Sequence, residues 1–298
     1  MNEKKVAKGW RNDYRVGMPV AERLWKDIRS FISDTAARWH HAGRLPVLVC
    51  WPDWPSKKTT VMKIAHQQRM RITNHLVKQP ACVLWFDDAT KGDPSALVAM
   101  YPHHRILNVA CTDISKQHVE EIHQQVLGYG MHCIPQVHHG MAVQKSDGNA
   151  VHDGRYVICP LEDVQPGDVY QRVIDNSISE FEVMDYRVPV IAGTPVLVYR
   201  KFKKMELRFT NEVVRSELAV LADVFTQEEL KMISEFTRAM GADFCELDIL
   251  RDHHDGRIYI IDLNKTPYGP PAKLPDTKAR EAVERMSQAF AEAYLRQL

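Results

Sequence analysis

The sequence predicts an α/β protein made of two units. In the first unit, two short apolar runs at residues 45–51 and 81–86 flank a polar, lysine-rich stretch, which is the pattern of buried strands around a crossover helix. In the second unit, short β-like segments alternate with turns over residues 141–199, and a hairpin and an amphipathic helix follow. A chain of 298 residues is long enough for two domains with cores of their own.

The composition is that of a globular protein, with 45% apolar and 26% charged residues. A formal net charge of +1 creates no global field toward nucleic acid or an anionic membrane. An anionic ligand therefore needs a local cluster of lysine and arginine side chains.

Localisation is predicted from apolar runs and cysteines. No run reaches the roughly 18 apolar residues of a membrane span, and residues 1–17 lack the apolar stretch of a signal peptide. The six cysteines form no Cys-x-x-Cys pair, which argues against a disulfide framework and against a cysteine zinc site. We expect a cytoplasmic protein without nucleic-acid or membrane partners, and the oligomeric state stays open.

The first unit, residues 1–110, is predicted to open with a helix over residues 19–41. Val20, Leu24 and Ile28 recur there at helical spacing with polar residues between them. The two strands at residues 45–51 and 81–86 follow, and the stretch between them can form the connecting helix. These elements make a small α/β lobe.

The second unit, residues 111–298, is predicted to open with a helix capped by Asp113. Val119, Ile122 and Val126 lie on one face of this helix, and Gly128 ends it. The clearest strands of the next part are residues 169–174 and 186–191.

A second helix signal is the capping box from Thr226 to Glu229, whose helix stops at Gly241. Two apolar strands follow, and Asp255–Gly256 between them is a hairpin signal. The strands are residues 244–250 and 257–264, and an amphipathic helix from Ala282 to Tyr294 comes after them.

The hairpin carries a set of oxygen donors. Because side chains alternate along a strand, Asp262 and Asn264 point to one face, where Asp248 or Glu246 of the partner strand can join them. Carboxylate and amide oxygens are the ligands of Mg²⁺, so the hairpin predicts a metal site. Glu246 is the reserve ligand if the strand register differs by one face. The alternative interpretation is a hairpin with an acidic, solvated face.

The stretch of residues 242–270 resembles the end of an ATP-grasp domain. In that family an Asp-bearing strand and a turn precede an acidic residue, an apolar residue and Asn. Asp248, Asp262 and Asn264 match these positions one by one. The following Lys265-Thr266-Pro267 is similar to the turn found after that Asn.

Further landmarks of the family occur in the same order. Lys116 and Lys145 resemble its two phosphate-binding lysines, and Gln171 to Ile174 resembles the hinge strand whose backbone reads the adenine edge. The stretch from Asp185 to Asn211 resembles the core of the ATP-grasp amide ligases, including those that add glutamate to ribosomal proteins. The resemblance implies nucleotide-binding roles for Lys116, Lys145, Gln171, Arg172, Ile174 and Asp185, and catalytic roles for Arg187, Arg208 and Asn211.

The resemblance implies an ATP-grasp fold, with a lid subdomain at about residues 137–170 and a larger antiparallel sheet, preceded by a small Rossmann-like lobe. It implies ATP and Mg²⁺ as cofactors. The implied reaction activates a carboxylate as an acyl phosphate for attack by an amine, with an acceptor that is an unidentified small molecule or peptide. Two alternatives stay open: a phosphotransferase acting on a hydroxyl, and a nucleotide-binding module without turnover.

Three features fit the family pattern less directly. The loop after Lys145 has only two glycines, so His152 or Arg155 can supply contacts that backbone amides supply elsewhere. The loop at residues 51–60, with two Trp, two Pro and two Lys, is either a packed loop or an acceptor-binding loop. The four His-His pairs lack metal-ligand spacing.

Overall fold

The computed structural model describes residues 45–151 and 153–295. The helix predicted over residues 19–41 and the side chain of His152 lie outside the described residues. The described part contains three β-sheets, each with its own packing partners.

The first sheet has four parallel strands in the order β2-β1-β3-β4. The two predicted strands are confirmed as β1 and β3, and the lysine-rich stretch between them contains a helix. Strands β2 and β4 were not predicted, because two or three residues are too few to show a periodic pattern. The elements are β1 Val47–Pro52, α1 Thr60–Gln67, β2 Arg71–Thr73, β3 Cys82–Phe86, α2 Ser95–Met100 and β4 Ile106–Leu107.

The second sheet, which we call the lid, has three antiparallel strands in the order β6-β5-β7. Its outer face has a small core of its own, formed by Ala142, Cys159 and Tyr170. Its inner face carries Met141 and Ile158, which are 56% and 77% exposed. The strands are β5 Gly140–Ser146, β6 Arg155–Cys159 and β7 Asp168–Arg172.

The third sheet is antiparallel, in the order β11-β10-β8-β12-β13, with β9 paired to β8. Helices α3 and α4 cover one face of it, where Val119 and Phe236 pack on Val188 and Leu247. The other face meets the lid, where the charge of Asp262 acts on Lys145. The elements are α3 Lys116–Leu127, β8 Glu182–Ile191, β9 Thr194–Pro195, β10 Val198–Lys204, β11 Arg215–Ala219, α4 Gln227–Ala239, β12 Phe244–Arg251 and β13 Ile258–Asn264.

The last helix, α5 (Asp276–Tyr294), packs on the first sheet, although the sequence division places it in the second unit. Met286 and Phe290 join Leu48 and Leu84 of the parallel strands in one apolar cluster. Of the helices in the described ranges, none is long and apolar enough to cross a membrane.

Two predicted helix ends can be compared with the structure. The capping box from Thr226 to Glu229 is confirmed, with both reciprocal hydrogen bonds formed. The N-cap of α3 is Ser115, so the prediction of Asp113 was wrong by two residues. The carboxylate of Asp113 instead accepts a hydrogen bond from the Ser115 N–H at 2.8 Å and pairs with Lys91 at 2.9 Å.

Candidate functional site

A row of charged side chains crosses the lid-facing side of the third sheet. Asp248 lies directly across from Asp262 on one neighbouring strand and from Arg187 on the other, while Glu246 lies across from Asn264. Residues directly across a ladder share a face. We call these five residues the charged strip. Glu246 and Asp248 are two apart on one strand, so Glu246 joins the strip without the change of register that the sequence analysis required.

Asp248 is the most strongly paired member of the strip. Arg187 donates to both of its oxygens, at 3.0 and 2.9 Å, and Lys201 donates at 3.2 Å. Burial alone would raise the pKa of Asp248, but the adjacent Arg187 and Lys201 outweigh it and hold that pKa well below its usual range. Asp248 is therefore a fixed anion that orients Arg187 from the sheet floor.

Asp262 and Lys145 are uncommitted by comparison. Among the described residues, neither side chain makes a hydrogen bond or an ion pair. Burial and the neighbouring Asp248 raise the pKa of Asp262. Burial lowers the pKa of Lys145 to about 8, although the charge of Asp262 opposes that shift. An anion on the sheet and a cation on the lid thus face one gap, and a ligand there can bind both.

The far end of the strip meets the first sheet. Asn264 accepts a hydrogen bond from the Thr266 N–H at 2.9 Å, and the Thr266 hydroxyl donates to Asp88 at 2.9 Å. The Asp88 loop follows β3. This chain of contacts sets the end of β13 beside the carboxyl ends of the parallel strands, where ligands gather in open α/β sheets.

Glu246 is buried at the same end. The Thr60 hydroxyl donates to its Oε1 at 3.2 Å, while its Oε2 has no hydrogen-bond partner among the described residues. Burial raises the pKa of this carboxyl, against the lowering effect of Arg187. A Cβ at Gly269 would lie 2.4 Å from Oε1, so a larger residue there would displace the Glu246 carboxyl.

The strip carries oxygen donors of the kind that a divalent cation prefers, and its role as a metal site stays a prediction. Asp248 and Asp262 repel one another, and Asp262, Asn264 and Glu246 offer hard oxygen donors nearby. Asp248 would have to share its oxygens with Arg187. Within residues 45–151 and 153–295, no group of three or more His, Cys, Asp or Glu side chains stands in metal-binding geometry.

The predicted hinge residues anchor the lid. Gln171 donates to Glu120 at 3.1 Å. Arg172 donates to Asp252 at 3.0 Å and Asp255 at 3.2 Å, and it lies 4.5 Å over the Tyr259 ring. The six residues between β12 and β13 hold these acids. The predicted Asp255–Gly256 turn is therefore part of a longer loop, and the carboxylates of this loop bind Arg172 at the end of the lid.

The hinge backbone is partly engaged by protein partners. The Arg172 N–H donates to the Met131 carbonyl at 2.7 Å, and the Ile174 carbonyl accepts from Arg208 at 2.9 Å. The role of these groups toward adenine stays a prediction. The buried Ile174 side chain packs with Leu250 on the site side of the third sheet.

Beyond the strip, the floor of the gap is apolar. Leu250 lies two residues past Asp248 on the same face, and partly buried Ile261 joins its cluster. On the lid, Met141 and Ile158 are paired and share the inner face with Lys145. Sequence reasoning missed this apolar surface, although the alternation of Met141, Val143 and Lys145 along β5 could have indicated it.

The remaining predicted residues lie on helix α3, on the lid, and on strands and loops of the third sheet. The Lys116 ammonium donates to the Gly148 carbonyl of the lid loop, and its backbone N–H donates to Asp147. Asp185 is bound by Lys203 and Asn176, each at 2.8 Å, so protein groups already hold its carboxylate. Arg155 donates to Gln144 in the outer face of the lid, at 3.2 Å. Asn211 lies in the loop between β10 and β11.

No protein-family model and no curated protein matches the sequence. Solved structures do. The ATP-grasp ligase PsnB, complexed with a phosphomimetic variant of its minimal precursor, Mg and ADP, aligns at 14% identity and a TM-score of 0.54, over 84% of this chain and 99% of that one. PsnB complexed with precursor peptide PsnA2 and AMPPNP aligns at 14% identity and a TM-score of 0.53, over 84% and 98%.

D-alanine–D-alanine ligase from Bacillus anthracis, complexed with ATP, aligns at 11% identity and a TM-score of 0.53, over 85% of this chain and 98% of that one. At such identities the likeness shows the fold. The predicted fold is confirmed, and this chain has the ATP-grasp fold.

Proposed function

We propose that the protein is a Mg-ATP-dependent ligase that activates a carboxylate and joins it to an amine. One observation carries the proposal: the gap between lid and sheet is apolar at one end, at Met141, Ile158 and Leu250, and charged at the other, at Lys145 and Asp262. A nucleotide has the same polarity, with an apolar base and anionic phosphates. Neighbours solved with ATP, and with Mg and ADP, support this ligand class.

In the proposed complex, the base lies between the inner face of the lid and the apolar floor. Lys116, Lys145 and Arg187 surround the triphosphate, because phosphoryl transfer needs several positioned cations. Asp262 and Asn264 would hold Mg²⁺, with Asp248 and Glu246 as further oxygen donors. When bound, the cation neutralises charge on the transferred phosphoryl group.

The proposed reaction has two steps. A carboxylate oxygen of the substrate attacks the γ-phosphorus, the bond from that phosphorus to the β-phosphate oxygen breaks, and ADP leaves. The amine nitrogen then attacks the acyl carbon, the carbon–oxygen bond to phosphate breaks, and inorganic phosphate and a proton are released as the amide forms. Arg208 and Asn211 stabilise the negative charge of the acyl phosphate and of the tetrahedral species that follows.

The acceptor is proposed to approach along the loop at residues 51–60. The Thr60 N–H donates to the Pro267 carbonyl at 2.9 Å, and the Thr60 hydroxyl reaches Glu246. These contacts set the end of the loop beside the charged strip. A peptide acceptor is one candidate, since PsnB was solved with a precursor peptide.

The fate of the terminal phosphate of ATP tests the proposal. The purified protein is incubated with MgATP labelled at the terminal phosphate and with panels of carboxylates, amines and peptides. We expect one inorganic phosphate and one ADP per amide, and a hydroxamate when hydroxylamine replaces the amine. Labelled phosphate recovered on an alcohol, without hydroxamate, would establish the phosphotransferase alternative, and AMP with pyrophosphate would reject both reactions.

A further inference from the structure

Three parts of the molecule meet at the guanidinium of Arg208. Its Nη2 donates to the Ile174 carbonyl at 2.9 Å and to Asn176 Oδ1 at 2.8 Å, just after the last strand of the lid. Its Nη1 donates to the hydroxyl of Tyr156, which lies on β6 of the lid. The guanidinium therefore connects the lid strand β6 with the segment that follows β7.

The third sheet holds two of these residues, Arg208 and Asn176. Asn176 Nδ2 donates to Asp185 at 2.8 Å, and Asp185 pairs with Lys203 at 2.8 Å. Lys203 in turn donates to the backbone carbonyl of Arg208 at 3.3 Å. This circuit holds Arg208 and Asn176 to the sheet, whereas Tyr156 belongs to the lid. The Tyr156 contact thus depends on the position of the lid.

Apolar contacts bring Tyr156 to this place. Its ring meets Phe209 edge-on, with ring centroids 5.1 Å apart. A Cβ at Gly154 would lie 3.0 Å from Phe209, so the lack of a side chain at Gly154 lets the strand approach closely. The lid edge is seated against the loop that carries Arg208, and the hydroxyl of Tyr156 then reaches the guanidinium.

We infer that Tyr156 is a positioning residue that couples closure of the lid to the orientation of Arg208. The inference rests on the proposed function for the need of a positive charge at the acyl phosphate. With the lid down, the Tyr156 hydroxyl fixes one arm of the guanidinium and the hinge fixes the other. With the lid raised, the guanidinium of Arg208 keeps its hinge contacts and loses the Tyr156 hydroxyl.

The test replaces Tyr156 by Phe, which removes the hydroxyl and keeps the ring on Phe209. Tyr170→Phe is the matched control, because the Tyr170 hydroxyl accepts only within the lid, from the Gln165 N–H at 3.1 Å. We expect Tyr156→Phe to lower kcat about tenfold, as for a lost hydrogen bond to a charged group, with KM for MgATP changed less than about threefold. Without nucleotide, amide exchange over residues 155–159 should quicken in Tyr156→Phe only.

A double-mutant comparison separates a role through Arg208 from a general loss of packing. In an Arg208→Lys background, Tyr156→Phe should cause no further loss of kcat. Multiplicative losses, or a Tyr156→Phe protein equal to Tyr170→Phe in both kcat and exchange, would overturn the inference. If the wild-type protein shows no MgATP turnover, the proposed function fails. The exchange comparison then decides alone whether the Tyr156 contact holds the lid.

Discussion

The two walls of the gap differ in how much of their chemistry the protein itself satisfies. On the sheet, the Asp248 carboxylate is enclosed by Arg187 and Lys201, and Asp185 is enclosed by Lys203 and Asn176. On the lid, Met141 and Ile158 are exposed and the ammonium of Lys145 has no partner among the described residues. The sheet wall is preorganised at Asp248 and Asp185 and leaves Asp262 uncommitted, whereas the lid wall presents mainly groups that a ligand would complete.

Because of this difference, ligand binding changes the free energy of the two walls in different ways. Charges already paired at the sheet need little reorganisation when an anion arrives, which is the condition for strong electrostatic stabilisation. The exposed apolar side chains of the lid cost free energy until a base covers them. Substitutions in the strip should therefore change turnover most, and substitutions in the lid should change mainly nucleotide affinity.

The largest effect is expected from Asp262→Asn. Turnover should fall about 100-fold or more, because the cation loses its least committed carboxylate. The melting temperature should stay equal or rise. The pKa of this carboxyl is raised by burial and by Asp248, so its ionised form opposes folding above the usual Asp range. Asp163→Asn, at an exposed lid position, is the control. Retained turnover would contradict the assignment of Asp262 as a ligand.

The next effect concerns Lys145. Lys145→Met should weaken ADP binding about 10- to 100-fold, the range of a charge-assisted contact of roughly 1.5–3 kcal/mol. Isothermal titration calorimetry with MgADP measures it, and Lys204→Met, at an exposed lysine, serves as control. Equal affinity in the two variants would show that Lys145 does not contact the phosphates, and it would contradict the assignment of the lid to the nucleotide site.

The same lysine predicts a pH dependence. Burial lowers its pKa to about 8, so the free protein loses this positive charge as the pH rises through that value. The affinity for ADP should therefore fall between pH 7 and 9. Lys145→Arg keeps its charge over this range and should show a flat profile. Identical profiles for wild type and Lys145→Arg would show that another group titrates.

How much of this arrangement the sequence predicts depends on the scale of the signal. The hairpin donors Asp248, Asp262 and Asn264 follow from alternation along two strands, which is local. The pairing of Asp248 with Arg187 depends on the neighbouring strand β8, about 60 residues away in sequence, and residue spacing carries no sign of it. Register between distant strands is decided by the whole sheet.

Short and solvent-facing elements were not predicted from the sequence, for a different reason. Strand β2 has three residues, too few for a pattern. The apolar face of the lid was missed because the exposure of Ile158 is known only once β6 is paired with β5. Asp113 was preferred as a cap because both Asp113 and Ser115 suit that position, and the local sequence does not rank them.

The smallest effect is expected at the apolar end of the gap. Ile158→Ser should weaken ADP binding about fivefold, corresponding to about 1 kcal/mol of lost apolar burial beside the base. Phe181→Ser removes an equally exposed apolar side chain outside the lid strands and should leave the affinity unchanged. Calorimetry measures both. Equal losses would point to a general effect, and no loss at Ile158 would move the base elsewhere.

The most direct test of the account is the site of nucleotide binding, measured by amide hydrogen exchange with and without MgADP. The account predicts slower exchange in two segments at once, the lid strands at residues 140–159 and the hairpin strand at residues 258–264, because the nucleotide lies between them. Exchange unchanged by MgADP in both segments, or slowed only around α1 and α5, would contradict a nucleotide site between the lid and the charged strip.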